Sequence, residues 1–164
     1  MKALVIYDSA FGNTAQIAQA IGSALGSQEE VTVRQVGNVM PEQLTDVKLL
    51  IVGSPTQGFK PTKAITDFLK GTLARGLKGM KVAAFDTRIA ASDIKPAFVR
   101  FIVNMGGYAA KPIADSLKQS GGELIMPPEG FFVEGKEGPL KAGELERAAD
   151  WAKHIVITQS VTTQ

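Results

Sequence analysis

Short, uninterrupted apolar runs recur along this chain, and helical periodicity fills the stretches between them. A run such as Leu49–Gly53 carries no polar alternation, which is the mark of a strand buried on both faces. Strands of that kind need a layer of helices on each side, so the pattern predicts an α/β fold with a mainly parallel sheet. Strands are expected at Lys2–Tyr7, Val31–Val36, Leu49–Gly53 and Lys81–Phe85. A last strand is expected in two pieces, Glu123–Met126 and Phe131–Val133, split by Pro127-Pro128. Thr14–Leu25 places Ile17, Ala18, Ile21 and Leu25 on one helical face, and Gly26 ends it. Further helices are expected over Thr62–Leu69, over Pro96–Ser120 with a break at Gly106-Gly107, and over Leu140–Ile157. The last of these puts Leu145, Ala148, Ala152, Ile155 and Val156 inward, with His154 either on its solvent side or packed near Trp151.

The 164 residues suit a single domain, 1–164, with a core of its own. A net charge of +2, spread without Lys/Arg clusters, argues against a nucleic-acid partner. With no cysteine, thiolate catalysis, disulfides and Cys-ligated metals drop out. Asp8 interrupts the first apolar run after Tyr7, so that run is too short for a signal peptide, and no stretch is long enough for a membrane span. A cytoplasmic protein is expected.

Chemistry gathers where three of the expected strands end. Strand Lys2–Tyr7 runs into Ser9-Ala10-Phe11-Gly12-Asn13-Thr14, and a helix begins at once. Backbone amides and the positive end of the helix dipole then converge on one point, where a phosphate would be held by oriented dipoles. Ser9, Asn13 and Thr14 add side-chain donors, and Gly12 lets the backbone approach closely. The competing reading is a helix N-cap at Asn13 or Ser9. Gly53-Ser54-Pro55-Thr56-Gln57-Gly58-Phe59 follows the third strand and is too long for a minimal turn. Asp86-Thr87-Arg88 follows the fourth, where Asp86 could equally cap the next element and Arg88 be a solvated charge. No catalytic side chain and no metal ligand set is evident.

The spacing Ser-x-x-Gly-Asn-Thr at Ser9–Thr14, followed in order by the Gly-Ser-Pro-Thr segment and the Asp86–Arg88 segment, resembles the flavodoxin family. The resemblance implies a three-layer sandwich around a five-stranded parallel sheet of order 2-1-3-4-5, with ligand bound where the order reverses. It implies flavin mononucleotide (FMN) as cofactor. Ser9, Ala10, Phe11, Gly12, Asn13 and Thr14 would hold its phosphate. Ser54, Pro55, Thr56, Gln57, Gly58 and Phe59 would lie along the ribityl chain and ring, and Asp86, Thr87 and Arg88 at the pyrimidine edge. Gly58 would present a carbonyl to flavin N5–H.

Many flavodoxins stack the flavin between a Trp and a Tyr from the second and third loops. Here Gln57 and Arg88 or Ile89 stand at the corresponding places, and the only Trp is Trp151. Aromatic contacts contribute about 0.5–1.5 kcal/mol each beyond burial. Their loss would weaken FMN binding by roughly one to two decades and leave a ring face open. Arg88 and Lys60 beside the ring would raise its potential relative to acidic flavodoxins, since a cation about 6 Å away contributes roughly 3 kcal/mol before screening. The function implied is an electron carrier between redox partner proteins. The alternatives are an FMN-dependent reductase of quinones or another small electron acceptor, and a cofactor-free interaction module. A response-regulator receiver is disfavoured: Asp8 stands alone, and Gly53-Ser54 ends the third strand where that fold needs an aspartate.

Overall fold

The computed structural model describes residues 1–96, 98–100 and 107–162. Its sheet is parallel and is built from β1 (Ala3–Tyr7), β2 (Val31–Gln35), β3 (Leu49–Pro55), β4 (Lys81–Ile89), β5 (Glu123–Leu124) and β6 (Glu129–Val133). The order is β2-β1-β3-β4-β5, with β6 also paired to β4. β5 runs beside Lys81-Val82 and β6 beside Phe85–Ile89, so the two pieces share one edge position. Between them lie Pro127-Pro128, which have no amide to give to a ladder. The expected split strand and the expected order are both present.

Alternation along the central strands builds two cores. Ala3, Val5, Leu49, Ile51, Ala83 and Phe85 face helices α1 (Asn13–Leu25) and α4 (Glu144–Thr162). Leu4, Ile6, Leu50, Val52, Val82 and Ala84 face α2 (Lys63–Arg75) and α3 (Ala110–Gln119). This is the three-layer sandwich. The first core closes on an aromatic triad in which Phe85, Phe131 and Trp151 meet edge to face at 6.1–6.4 Å between centroids.

Several boundaries differ from the sequence expectation. Strand β4 continues through Ile89 rather than stopping at Phe85, because β6 supplies a partner for the polar residues 86–88. α2 extends to Arg75 and ends at Gly76 with φ 83. Of the helix expected across Pro96–Ser120, α3 accounts for Ala110–Gln119, and residues 97 and 101–106, with the Gly106 half of the expected break, lie outside the described residues. On α4 the inward stripe is Ala148, Trp151, Ala152 and Ile155, while Leu145 and Val156 are exposed. His154 is on the solvent side, its Nδ1 paired with the Asp150 carbonyl.

The first turn of α4 is tied to β6 through Glu144, which is buried. Its carboxylate accepts from the Phe132 amide at 2.7 Å and from Arg147 at 2.7 and 2.9 Å. Burial alone would raise this carboxyl, but Arg147 and the Phe132 amide outweigh it, and Glu144 ends below the ordinary carboxylate range. A carboxyl lowered on folding stabilises the native state above its unfolded value, and that contribution is lost as pH falls through the lowered one. Glu144→Gln is expected to cost about 1–2 kcal/mol at pH 7. In urea unfolding the difference from wild type should narrow below about pH 4. A difference that stays constant down to pH 3 would remove this role from Glu144.

Candidate functional site

The strand order reverses at β1 and β3: β1 pairs with β2 on one side and with β3 on the other. Chain leaving β1 and β3 therefore turns to opposite faces of the sheet, and a crevice opens at their carboxyl ends. Ala10, Phe11, Asn13 and Thr14 line it from the first loop. Pro55 and Thr56 come from the end of β3, Thr87, Arg88 and Ile89 from β4, and Val133 and Lys136 from β6 and the residues after it.

The first loop contributes four of the crevice's lining residues, Ala10, Phe11, Asn13 and Thr14. Gly12 is the N-cap of α1 with φ 91, and it supplies no side-chain cap. Ser9 Oγ accepts from the amides of Gly12 (3.1 Å) and Ala15 (3.3 Å), while Asp8 Oδ1 accepts from the Ser9 amide. With both lone pairs engaged, the Ser9 hydroxyl keeps its proton for an outside acceptor. Among the described residues, the amides of Ala10, Phe11, Asn13 and Thr14 have no protein acceptor, and these are the residues that line the crevice. Side chains at the same loop join segments together. Thr14 Oγ1 meets Thr87 Oγ1 at 2.8 Å in a buried contact, and Asn13 Nδ2 donates to the Glu137 carbonyl at 3.1 Å.

The second segment divides in two. Ser54 is fully buried, its Oγ accepting from the Thr62 amide at 3.0 Å and donating to the Pro55 carbonyl at 2.9 Å. Thr56 Oγ1 accepts from the Ala109 amide. Beyond them, Gln57 and Lys60 exchange both backbone hydrogen bonds around Gly58 and Phe59, which have φ 53 and 68. Two positive φ values in a two-residue loop define a type I′ turn, and Phe59 holds one of them against its steric preference. Its ring is exposed. Gln57, Gly58 and Phe59 stand beyond the walls of the crevice.

In the third segment Thr87 faces α1, whereas Asp86 and Arg88 face α3. The Arg88 guanidinium clasps Asp86 with both carboxylate oxygens, at 2.6 and 2.7 Å, and lies 3.8 Å from the centre of the Tyr108 ring. Asp86 Oδ2 also accepts from the Ala110 amide at 2.8 Å. Asp86 and Thr56 thus cap the start of α3 from neighbouring strands. Desolvation pushes the Asp86 carboxyl above the ordinary carboxylate range, against the pull of Arg88 and of the Ala110 amide. Expected as a free cation, Arg88 instead has its guanidinium engaged by Asp86 and Tyr108. Sequence reasoning passed over Tyr108 and Lys136; neither stands next to a motif, and only the fold brings them to the site.

The chemistry of the donor set fits a phosphomonoester. Among the described residues, those lining the crevice from the first loop have amides without protein acceptors, no carboxylate residue lines it, and a Cβ built on Gly12 or Gly58 would meet nothing within 4 Å. The ring end has less to offer. Phe11 is the one aromatic lining the crevice among the described residues, and it is half exposed.

Comparison with known proteins agrees with this geometry. The sequence model of the flavodoxin family matches residues 5–151. The chain belongs to the flavodoxin family, whose members bind FMN and transfer electrons to partner proteins. A flavodoxin from the domain Archaea is 24% identical and superposes with a TM-score of 0.74 over 96% of this chain and 97% of that one. Oxidised flavodoxin 1 from Bacillus cereus is 19% identical, with a TM-score of 0.75 over 96% and 98%. A WrbA-like flavodoxin from Agrobacterium tumefaciens is 16% identical, with a TM-score of 0.69 over 97% and 98%. No curated protein sequence matches the chain.

Proposed function

We propose that this flavodoxin-family protein carries electrons between redox partner proteins, with FMN held by its phosphate at the β1–α1 junction. The observation that carries the reading is that the crevice-lining residues Ala10, Phe11, Asn13 and Thr14 have backbone amides with no protein acceptor among the described residues. Bound FMN supplies the redox chemistry, and the protein supplies binding, orientation and electrostatics. The first-loop amides and the Ser9 hydroxyl take the phosphate, and the Thr14–Thr87 contact fixes the distance between the loop and β4. Pro55, Thr56, Thr87 and Ile89 wall the crevice and shield the ribityl chain from water. Ser54 and Asp86 act one step back, by holding the starts of α2 and α3. Gln57, Gly58 and Phe59 form the turn beside the ring. No side chain in this assignment acts as acid, base or nucleophile. Among the described residues no helix is long and apolar enough to cross a membrane, and the cytoplasm is the compartment this reading assigns.

A small-molecule reductase is the second reading. It is favoured by the crevice wall, where Phe11 is the one aromatic among the described residues, which leaves a flavin face open to a substrate. Calorimetric titration tests the cofactor and a turnover assay separates the roles. FMN is expected to bind at least about tenfold more tightly than riboflavin, through charge-assisted hydrogen bonds to the phosphate. Equal affinity, or no binding of either, overturns the assignment. Oxidation of a nicotinamide nucleotide with a quinone as acceptor would replace the carrier reading by the reductase.

A further inference from the structure

The first loop contains no lysine or arginine, yet the fold brings a cation to it from far along the chain. After β6 the chain doubles back: Val133 and Leu140 form an antiparallel bridge, the Glu134 amide donates to the Pro139 carbonyl at 2.8 Å, and the Gly138 amide to the Gly135 carbonyl at 3.0 Å. Residues 134–139 thus form a narrow hairpin. It is latched to the first turn of α1, where the buried Asn13 side chain donates to the Glu137 carbonyl. The fit is close on the other side as well. A Cβ at Gly138, whose φ is +97, would stand 2.5 Å from Asn13 Oδ1, so a glycine is required there on two counts.

The latch places Lys136 in the wall of the crevice beside Phe11, Asn13 and Thr14. Arg88 is the other cation in that wall among the described residues, and its guanidinium is already engaged by both Asp86 carboxyl oxygens. Lys136 is exposed and has no ion-pair partner among the described residues. The carboxylates nearest in sequence, Glu134 and Glu137, are exposed and do not line the crevice. A helix terminus carries only about half an elementary charge, which leaves a phosphate dianion under-compensated.

We infer that Lys136, held over the first loop by the Asn13–Glu137 latch, supplies the counter-charge for the FMN phosphate. The inference rests on the assignment of FMN to this crevice. It makes Asn13 a positioning residue through its side chain, whatever its amide contributes. It also makes phosphate recognition sensitive to ionic strength, since an exposed ammonium is screened within about 10 Å at 0.1 M salt.

Fluorescence titrations of the apoprotein with FMN and with riboflavin, at 20 mM and 500 mM NaCl, test this. At low salt Lys136→Gln is expected to weaken FMN binding about fivefold and Lys136→Glu about thirtyfold, with Lys136→Arg near wild type. Riboflavin affinity should stay within about twofold in all of them, because the missing charge has no phosphate to meet. Wild-type FMN affinity should fall with salt, and the dependence should flatten in Lys136→Gln. Asn13→Ala should weaken FMN binding and add little further loss in the Lys136→Gln background. An unchanged FMN-to-riboflavin ratio in Lys136→Gln at low salt overturns the inference. Failure of the wild-type protein to prefer FMN overturns the cofactor assignment instead, so the two failures are distinguishable.

Discussion

Asp86→Ala is expected to destabilise the protein by about 3–5 kcal/mol, the usual cost of removing one partner from a buried ion pair. Asp86 is fully buried and the Arg88 side chain is only 19% exposed, so the orphaned guanidinium could not recover its hydration without unpacking the edge of the sheet. The same carboxylate takes the Ala110 amide, and its loss would fray the start of α3. Gly130 is part of this design. It is the register partner of Asp86 on β6, and a Cβ there would stand 2.0 Å from Arg88 Nε, so the absence of a side chain lets Arg88 lie across the strand. Asp86→Asn keeps acceptor capacity for the Ala110 amide and should cost less, about 1–2 kcal/mol.

The pH dependence follows from the raised Asp86 carboxyl. Its proton is held more tightly in the native state than in the unfolded chain, so ionisation lowers stability as pH rises from the unfolded value through the native one. Arg88→Met removes the group that opposes desolvation and widens that window. Urea unfolding of Arg88→Met is expected to show a larger deficit at pH 8 than at pH 5. An Asp86→Ala loss below about 1 kcal/mol would mean that the pair behaves as a solvated surface contact.

What the sequence discloses of this molecule tracks how locally each feature is encoded. The buried strands β1, β3 and the first half of β4 are continuous apolar runs and stand out without a partner. The Pro127-Pro128 break is equally local, because proline withholds its amide wherever the fold puts it. The second half of β4 is different. Residues 86–88 look like a loop on composition, and they form strand only because β6 and α3 satisfy their polar groups. Leu145 and Val156 fit a helical stripe in the sequence, yet they are exposed, and Trp151 joins the core by packing against Phe131 of β6. In the site, the β1–α1 amide cradle is legible because strand, glycine and helix start are contiguous. The Asn13–Glu137 latch joins residues 124 apart, and no pattern within either segment announces it.

Gly53→Ala tests how closely the sheet and its aromatic triad are fitted beneath the site. Gly53 and Phe85 are register partners on β3 and β4, and a Cβ on Gly53 would lie 2.0 Å from Phe85 Cζ. The Phe85 ring therefore crosses over the Gly53 backbone. It cannot retreat freely, because Phe131 and Trp151 pack against it edge to face and both are buried. Adding one methyl group here forces either an off-rotamer ring or a shift of β3, which ends in the segment that walls the crevice. The expected cost is about 3 kcal/mol, the upper end for overpacking a well-filled core. Phe85→Leu removes the clashing ring edge at a cost of its own, about 1–2 kcal/mol. In combination the substitutions should cost at least about 1 kcal/mol less than the sum of the single effects, because the smaller side chain makes room for the methyl group. Chemical denaturation of the four proteins in the cycle measures this coupling. Strict additivity would show that the strain lies in the β3 backbone rather than against the Phe85 ring.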